Sequence, residues 1–318
     1  MDNIIIITFS HSNVGGYLFE ESVNNIFSKK YKIISIKNDT LIENELLNNI
    51  NNSIAIIVAG GPIIGNNGPY KDCWMGFLKL NPDLNLIKVP IILFGVGLIS
   101  VPFKEDKLSL TNNNIIFLKE KIKYIYTRDK LTYEYLKSYN IKSYFMGCPS
   151  IMYKNTLNLN IDKNKNKTVL FSPTIFINEY DIEVFNKLKE KFNQIKICIN
   201  HDDIGVQNKA KNVFLDVPII NLKNLNDMFN ITNNIDYHIG YRVHQHIACL
   251  LSGVKSILII CDNRGKGISE VIGNFKYSIN NILELDNKLL DLENDNYENA
   301  YNDIKIIRNN IINTFNIL

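Results

Sequence analysis

Short apolar runs alternate along the chain with longer segments in which apolar residues recur every three or four positions. The short runs have the length of strands buried on both faces, and the longer segments have the spacing of amphipathic helices. This alternation predicts an α/β protein built on parallel sheets. The predicted strands are Asn3–Phe9, Lys32–Ile36, Ile54–Ala59, Val89–Gly95, Lys123–Tyr126, Ile141–Met146, Thr168–Ser172, Ile195–Ile199, Asp236–Ile239 and Lys255–Ile260.

Segments with helical spacing follow most of these strands. One begins near Arg242, has an apolar face that includes Ile247 and Leu251, and ends at Gly253. The other predicted helices are Tyr17–Lys29, Leu41–Ile50, Tyr70–Leu80, Asn112–Lys121, Lys130–Tyr139, Asp181–Phe192, Leu222–Ile231, Asn281–Leu292 and Ala300–Phe315.

A polar segment rich in Asn and Lys, Asn155–Lys167, interrupts the alternation and is typical of an interdomain linker. A chain of 318 residues is long for one core and suits two domains. We therefore expect an N-terminal domain at residues 1–155 and a C-terminal domain at residues 156–318. The last helix is expected to cross back onto the first domain.

The composition indicates a soluble globular protein, with 46% apolar and 21% charged residues. The net charge of +3 is small for this size and the basic residues are spread out, which argues against nucleic-acid binding. No apolar stretch reaches the roughly 18 residues of a membrane-spanning helix. The first apolar run has no basic region before it, so it is typical of a strand rather than a signal peptide.

The five cysteines are scattered, odd in number and never spaced as C-x-x-C. This pattern favours free thiols in a reducing compartment. Together with the absence of a targeting or membrane segment in the sequence, it predicts a cytoplasmic protein.

Cationic and imidazole side chains follow two predicted strands near the C-terminal end of the chain. Arg242 and His244 lie where the strand Asp236–Ile239 gives way to a helix, and Arg264 lies in the polar loop Cys261–Gly267. Ligands of open α/β sheets bind beyond the carboxyl ends of the strands, where helix N-termini add backbone N–H donors. These residues predict an anion site with an imidazole beside it; the alternative is an ordinary βαβ unit with solvated polar loops.

Arg128 lies at the end of another predicted strand and repeats the position of Arg242 at a strand–helix junction. The sequence leaves two interpretations open for it: a ligand-binding guanidinium, or a local ion pair with Asp129 at the start of the next helix. His201-Asp202-Asp203 resembles a fragment of a metal site, but no second ligand pair has a recognisable spacing, and we expect no metal.

Two glycine-rich segments also follow predicted strands. Asn13, Gly15 and Gly16 belong to the loop after the first strand, and Gly60 and Gly61 begin the loop after the third. Glycine lets a backbone approach a ligand closely, but a tight turn that needs glycine for its geometry explains these segments equally well.

The order of these motifs resembles the polysaccharide pyruvyl transferase family. The resemblance covers nearly the full chain, and the combination of motifs is more specific than any one of them. The matching elements are Asn13-x-Gly15, Gly60-Gly61, Gly95-x-Gly97, Arg128-Asp129, Gly147-Cys-Pro-Ser150, Gly240-Tyr-Arg242-Val-His244 and Asp262-Asn-Arg264.

The resemblance implies two Rossmann-like domains that face each other across a cleft, as in the GT-B architecture. It also implies transfer of the pyruvyl group of phosphoenolpyruvate to sugar hydroxyls as a ketal, with phosphoenolpyruvate as co-substrate and no bound cofactor. The acceptor would be a surface polysaccharide or glycan precursor, and a lipid-linked acceptor would bring the protein to a membrane surface. By the same resemblance His244 is catalytic, and the substrate-binding residues are Arg128, Arg242, Val243, Arg264, Asn13, Gly15, Gly60 and Gly61.

The residues suit this chemistry. Phosphoenolpyruvate carries a carboxylate and a phosphate, and the planar fork of arginine binds both groups bidentately. Ketal formation needs a proton for the methylene carbon and a base for the incoming hydroxyl. His244 suits either step because imidazole titrates near neutral pH.

Two departures from the family pattern keep alternatives open. Gly16 stands where many members carry an aspartate, and some members carry lysine at the position of Arg264. One alternative is a GT-B glycosyltransferase that uses a nucleotide sugar. The other is a non-catalytic relative that binds glycans.

Overall fold

The computed structural model describes residues 1–8, 14–37, 40–65, 84–98, 110–154, 167–201, 203–293 and 295–317. The first part of the chain comprises β1 (Asn3–Thr8), α1 (Val14–Phe27), β2 (Lys32–Lys37), α2 (Asn44–Asn51), β3 (Ile56–Ile64), β4 (Ile91–Leu98), α3 (Asn112–Glu120), β5 (Ile122–Thr127), α4 (Lys130–Ser138) and β6 (Tyr144–Phe145). These strands form a six-stranded parallel sheet in the order β2-β1-β3-β4-β5-β6.

A second parallel sheet follows, in the order β12-β11-β10-β7-β8-β9. Its elements and the final helices are β7 (Thr168–Ser172), α5 (Glu179–Lys191), β8 (Gln194–Ile199), α6 (Ile204–Val213), β9 (Ile219–Asn221), α7 (Leu225–Asn230), β10 (Tyr237–Gly240), α8 (Val243–Leu251), β11 (Lys255–Ile259), α9 (Asn263–Val271), β12 (Ser278–Ile279), α10 (Leu285–Glu293) and α11 (Glu298–Ile317). The predicted α/β class with parallel sheets is confirmed.

The continuous apolar runs are explained by burial of the sheets on both faces. In β1, Ile4 and Ile6 pack into one hydrophobic cluster, and Ile5 and Ile7 pack into another. Successive side chains of a strand point to opposite faces, so a strand covered on both sides must be apolar at every position.

The last helix, α11, crosses back from the second sheet to the first. The ring of Phe315 contacts Phe27 of α1 edge to face, with centroids 5.4 Å apart. Arg308 donates from Nε to the carbonyl of Ile151, in the short 3₁₀ turn Pro149–Met152, at 3.2 Å. The largest hydrophobic cluster contains residues of both sheets, so the apolar core is continuous between them.

Several predicted boundaries in the first sheet were wrong. Helix α1 begins at Val14, so Gly15 and Gly16 are helical rather than part of a loop. Gly60 and Gly61 lie inside β3, because their positive φ angles of 49° and 93° let the strand continue where their sequence indicates a turn. The strand predicted at Ile141–Met146 is reduced to the two residues of β6.

The predicted polar loop Cys261–Gly267 is mostly the first part of helix α9. Asp262 caps this helix by accepting hydrogen bonds from the backbone N–H groups of Arg264 and Gly265. Two glycines and few apolar residues hide the helix in the sequence. Helix α6 and strands β9 and β12 were also not predicted. The predicted helix Tyr70–Leu80 and the predicted linker up to residue 166 lie outside the described residues.

In the described ranges, no helix combines the length and the apolar character needed to cross a membrane.

Candidate functional site

The carboxyl ends of the two sheets face each other, and helices that begin there touch across the gap. The backbone N–H of Val14, at the start of α1, donates to the carbonyl of Asn200 beyond β8 at 3.0 Å. On the other side of the gap, a Cβ atom added to Gly267 of α9 would lie 2.7 Å from Cγ of Asp129, which caps α4. The strand–helix junctions of both sheets therefore line one cleft.

Arg242 is the N-cap residue of α8 and lies two residues after the end of β10. Its Nε donates to the backbone carbonyl of Pro173, beyond β7, at 3.0 Å. Burial, and then the positive charge of Arg264, lower the pKa of Arg242. A half-buried guanidinium that is destabilised by a second cation is in an environment that favours binding of an anion.

Arg264 is held by the acidic residue two positions before it. Its Nε and Nη2 donate to Oδ2 of Asp262 at 2.8 Å and 2.6 Å. The Arg264 side chain keeps 33% of its surface exposed. Asp262 thus fixes the direction of the guanidinium and leaves part of it open to a ligand.

Arg128 is buried at the end of β5, with 5% of its surface exposed. Its Nε lies 3.3 Å from Oδ2 of Asp129, whose other oxygen accepts from the backbone N–H of Thr132. The guanidinium covers Gly97, where an added Cβ would lie 2.5 Å from Cζ of the arginine. Its Nη2 is buried and has no hydrogen-bond partner among the described residues.

The surroundings of Arg128 are consistent with both interpretations that the sequence left open. The local ion pair with Asp129 exists, yet it uses only one edge of the guanidinium. A buried charged donor without a partner costs free energy, and a bound carboxylate or phosphate would remove that cost.

His244 lies in the first turn of α8 and packs against α1 across the cleft. A Cβ atom added to Gly15 would lie 2.5 Å from Nδ1 of His244, and Nε2 of the ring is shielded from solvent. Val243, the first residue of α8, is partly buried and packs its side chain against the hydrophobic core. Asn13 lies outside the described residues.

Gly60 serves packing in this structure. An added Cβ would overlap the ring of Phe19, on α1, far inside van der Waals distance. The same ring approaches Gly95 of β4, where an added Cβ would lie 2.8 Å from Cζ of Phe19. The glycines therefore let α1 settle onto the sheet, which sets the position of Gly15 opposite His244. Gly61 follows in β3 with a positive φ angle.

His201 lies two residues after β8, and its Nδ1 accepts a hydrogen bond from the backbone N–H of Asp203, which caps α6. Asp202 lies outside the described residues. Across the described ranges, no three His, Cys, Asp or Glu side chains are grouped so that they would hold a metal ion.

The small number of arginines in the sequence is a further signal of the site, beyond the motifs described above. The 35 basic residues include only four arginines, at positions 128, 242, 264 and 308. Three of them lie at the carboxyl ends of strands around the cleft, and Arg308 holds α11 to the 3₁₀ turn. A lysine-rich chain that keeps arginine at these positions indicates that they need its planar, multidentate geometry.

Two further histidines lie near the site, and sequence reasoning assigned neither of them a role. His238 of β10 and His246 of α8 are buried, and both hydrogen-bond to the hydroxyl of Ser256. Burial lowers the pKa of His238 well below its usual value and that of His246 to about 3, so both rings are neutral at physiological pH.

Comparison with known proteins identifies a family whose sequence model matches most of the chain. The sequence model described as Polysaccharide pyruvyl transferase matches residues 13–263, which include Arg128, Arg242 and His244 and end just before Arg264. The search of curated protein sequences returned no match.

Solved structures share the fold at low sequence identity. HepE of Anabaena, in complex with UDP-glucose, matches with a TM-score of 0.62, 10% identity and coverage of 100% of both chains. S. aureus MnaA with UDP matches at 0.58 and 12%, over 100% of this chain and 98% of that one. The Methanocaldococcus jannaschii UDP-GlcNAc 2-epimerase, in complex with UDP-GlcNAc and UDP, matches at 0.58 and 12%, over 96% and 98%. The fold is the GT-B arrangement of two Rossmann-like halves.

Proposed function

This chain belongs to the polysaccharide pyruvyl transferase family, and we propose that it transfers the pyruvyl group of phosphoenolpyruvate to two hydroxyls of a sugar. The acceptor is a surface polysaccharide or its precursor. The observation that carries this proposal is the convergence of three of the four arginines, one with an unpaired buried amino group, on a cleft that also holds His244.

The arginines suit the two anionic groups of the donor. Arg242 and Arg264 approach each other closely enough for each charge to affect the other, so a phosphate between them would relieve their repulsion. Arg128 follows β5 and lies beside Asp129, which touches α9, the helix that carries Arg264. In the proposed complex, these cations hold the carboxylate and the phosphate of phosphoenolpyruvate and stabilise the phosphate as it leaves.

The proposed reaction is a balanced exchange without redox chemistry. One acceptor hydroxyl adds through its oxygen to C2 of phosphoenolpyruvate while the methylene carbon gains a proton and becomes a methyl group. The second hydroxyl forms another C–O bond at C2, and the bond from C2 to the phosphate oxygen breaks. The two hydroxyl protons end on the methyl group and on the phosphate.

His244 is the group proposed to move these protons. An imidazole accepts a proton from a hydroxyl and donates one to carbon near neutral pH, which is general acid–base catalysis. Its position at the N-terminus of α8, two residues from Arg242, supports this role. In this structure the ring packs against Gly15 of α1 and remains partly exposed, so it lies at the junction of the two sides of the cleft.

A nucleotide-sugar glycosyltransferase is the second candidate. The observation that favours it is the bound UDP or UDP-sugar in three solved proteins that share the fold. The same arginines would then bind a diphosphate. Because sequence identity to these proteins is 12% or less, the similarity supports the shared fold only. Which donor substrate this chain binds must be decided by experiment.

Calorimetric titration with phosphoenolpyruvate, inorganic phosphate and UDP distinguishes the two candidates. We expect saturable binding of phosphoenolpyruvate that is weakened at least about tenfold in Arg242→Lys, because a point charge replaces a bidentate fork. Arg308→Lys is the matched control, and it should retain the affinity. Binding of UDP without binding of phosphoenolpyruvate would instead support the glycosyltransferase.

Turnover then separates an enzyme from a non-catalytic glycan-binding relative. Phosphate release from phosphoenolpyruvate is measured with a panel of sugar acceptors, for the natural chain and for His244→Gln. The proposal expects release that is lost in the variant while donor binding persists. Glycan binding without phosphate release, unchanged in His244→Gln, would support the binding protein.

A further inference from the structure

Four buried side chains form a continuous hydrogen-bonded chain beneath Arg242 and His244. Oγ of Ser172 lies 2.7 Å from Nε2 of His238. Nδ1 of His238 lies 2.8 Å from Oγ of Ser256, which in turn lies 2.7 Å from Nδ1 of His246. The chain joins β7, β10, β11 and α8, and each member is at most 1% exposed.

We propose that this chain, Ser172–His238–Ser256–His246, is a positioning device that orients Arg242 and the first turn of α8 for anion binding. The inference rests on the proposed function in so far as the anion is the donor. Its members do not touch the substrate, so they are positioning residues rather than catalytic ones.

The Ser172 end of the chain acts on Arg242 through two adjacent carbonyl groups. The carbonyl of Ser172 accepts from the backbone N–H of Tyr241 at 2.9 Å, and that of Pro173 accepts from Nε of Arg242. The fit is close, because a Cβ atom added to Gly240 would lie 2.8 Å from the backbone nitrogen of Ser172. Because Ser172 and Pro173 are consecutive, a shift of the Ser172 backbone would displace the carbonyl that holds the guanidinium.

The His246 end of the chain holds the start of α8 from the other side. The backbone N–H of His246 donates to the carbonyl of Arg242 at 2.9 Å, and its ring is tied to Ser256 of β11. The segment from Arg242 to His246, which includes His244, is therefore fixed at both ends to the underlying sheet.

The hydrogen bonds require a defined order of protons along the chain. Ser256 has one hydroxyl proton but meets Nδ1 atoms of two histidines, so at most one ring can accept from it and at least one ring must donate to it. When Ser256 donates its own proton within this network, neutral imidazoles allow two senses of donation: from Ser172 towards His246, or in reverse. Both senses satisfy every bond in the chain, and a missing hydroxyl leaves a buried ring nitrogen unpaired.

A purely structural network would stabilise the sheet without influencing Arg242. Another hydrogen bond in the same sheet provides a control for this alternative. Thr168 lies on the same strand as Ser172 but at its amino end, and its Oγ1 donates to Oε1 of Gln194 on β8 at 3.1 Å. Thr168→Val removes that side-chain hydrogen bond far from the cleft. It should lower stability without any effect on Arg242.

The test is nuclear magnetic resonance of the whole protein labelled with ¹⁵N in arginine, which has only four Nε–H signals. Arg242→Lys assigns the signal of interest. In Ser172→Ala we expect the Arg242 signal to shift and to exchange faster with solvent, and phosphate affinity to fall at least about tenfold. Thr168→Val should leave the Arg242 signal and the phosphate affinity unchanged. Ser256→Ala repeats the test from the middle of the hydrogen-bonded chain.

An unchanged Arg242 signal and unchanged phosphate affinity in the folded Ser172→Ala and Ser256→Ala proteins would overturn the inference. The Arg242 signal is read without any ligand, so it decides the question even if phosphoenolpyruvate is not the donor. Failure of the proposed function would appear separately, as the absence of phosphoenolpyruvate binding to the natural chain.

Discussion

The imidazole of His244 lies directly against the backbone of Gly15, where a Cβ atom would stand 2.5 Å from Nδ1 and 2.9 Å from Cβ of the histidine. This contact joins the first turn of α1 to the first turn of α8. The two sides of the cleft therefore touch at the residue proposed to move protons. The size of residue 15 sets the geometry of His244.

Gly15→Ala should reduce turnover at least about tenfold, because His244 must move to accommodate the methyl group. Alanine favours a helix over glycine by about 1 kcal/mol, so α1 itself should persist. Phosphate release and circular dichroism measure the two effects. Full activity in the variant would contradict a catalytic role for His244 in the observed position.

Gly267→Ala should destabilise the protein by about 1–3 kcal/mol, because its methyl group would meet Asp129 at 2.7 Å. It should also weaken phosphoenolpyruvate binding, because Asp129 positions Arg128. Gly265→Ala is the matched control in the same helix: its Cβ would have its nearest contact at 3.5 Å, an ordinary packing distance. Urea unfolding and calorimetry test the pair, and equal behaviour of the two variants would count against the interface.

Phosphate should stabilise the protein against heat, because it supplies an anion for the unpaired amino group of Arg128. At a ligand concentration of about 100 Kd the expected gain is about 2.7 kcal/mol. Arg128→Lys should lose most of this gain, since lysine cannot reproduce the fork, whereas Arg308→Lys should retain it. Thermal unfolding with phosphate, compared at equal ionic strength with chloride, is the measurement.

Acid should destabilise the protein partly through His246. Its pKa in the folded protein is about 3, against about 6.5 when unfolded, so the unfolded state binds more protons between these values. The resulting stabilisation is complete above about pH 6.5 and is lost as the pH falls towards 3. From about pH 7 to about pH 5, His246 alone should remove about 2 kcal/mol from the free energy of unfolding.

His246→Asn keeps a hydrogen-bonding group near Ser256 but cannot titrate, so its stability should depend less on pH over this range. Thr168→Val removes a hydrogen bond between two groups that do not titrate, so it serves as the control: it should lower stability and keep the pH dependence of the natural chain. Urea unfolding at several pH values measures the difference. Parallel pH profiles for the natural chain and His246→Asn would be inconsistent with the buried neutral ring.

The sequence predicted the class of fold and the edge of the sheets at which the polar residues collect. Ile4–Ile7 is apolar throughout because both faces of β1 are covered, and this pattern is visible without coordinates. Arg128, Arg242 and His244 were located correctly at strand–helix junctions. Helix α9 escaped prediction because its turns carry glycine and polar residues in place of an apolar stripe.

Local pattern thus determined most of the order of strands and helices, because the apolar repeat of an element and the residues at its ends are encoded in neighbouring positions. Only the tertiary structure decided that Gly15 faces His244, that Gly267 faces Asp129, and that Gly60 receives Phe19. It also decided that Ser172, His238, Ser256 and His246 form one buried chain. These relationships depend on close packing between residues far apart in sequence, and spacing along the chain carries no record of such contacts.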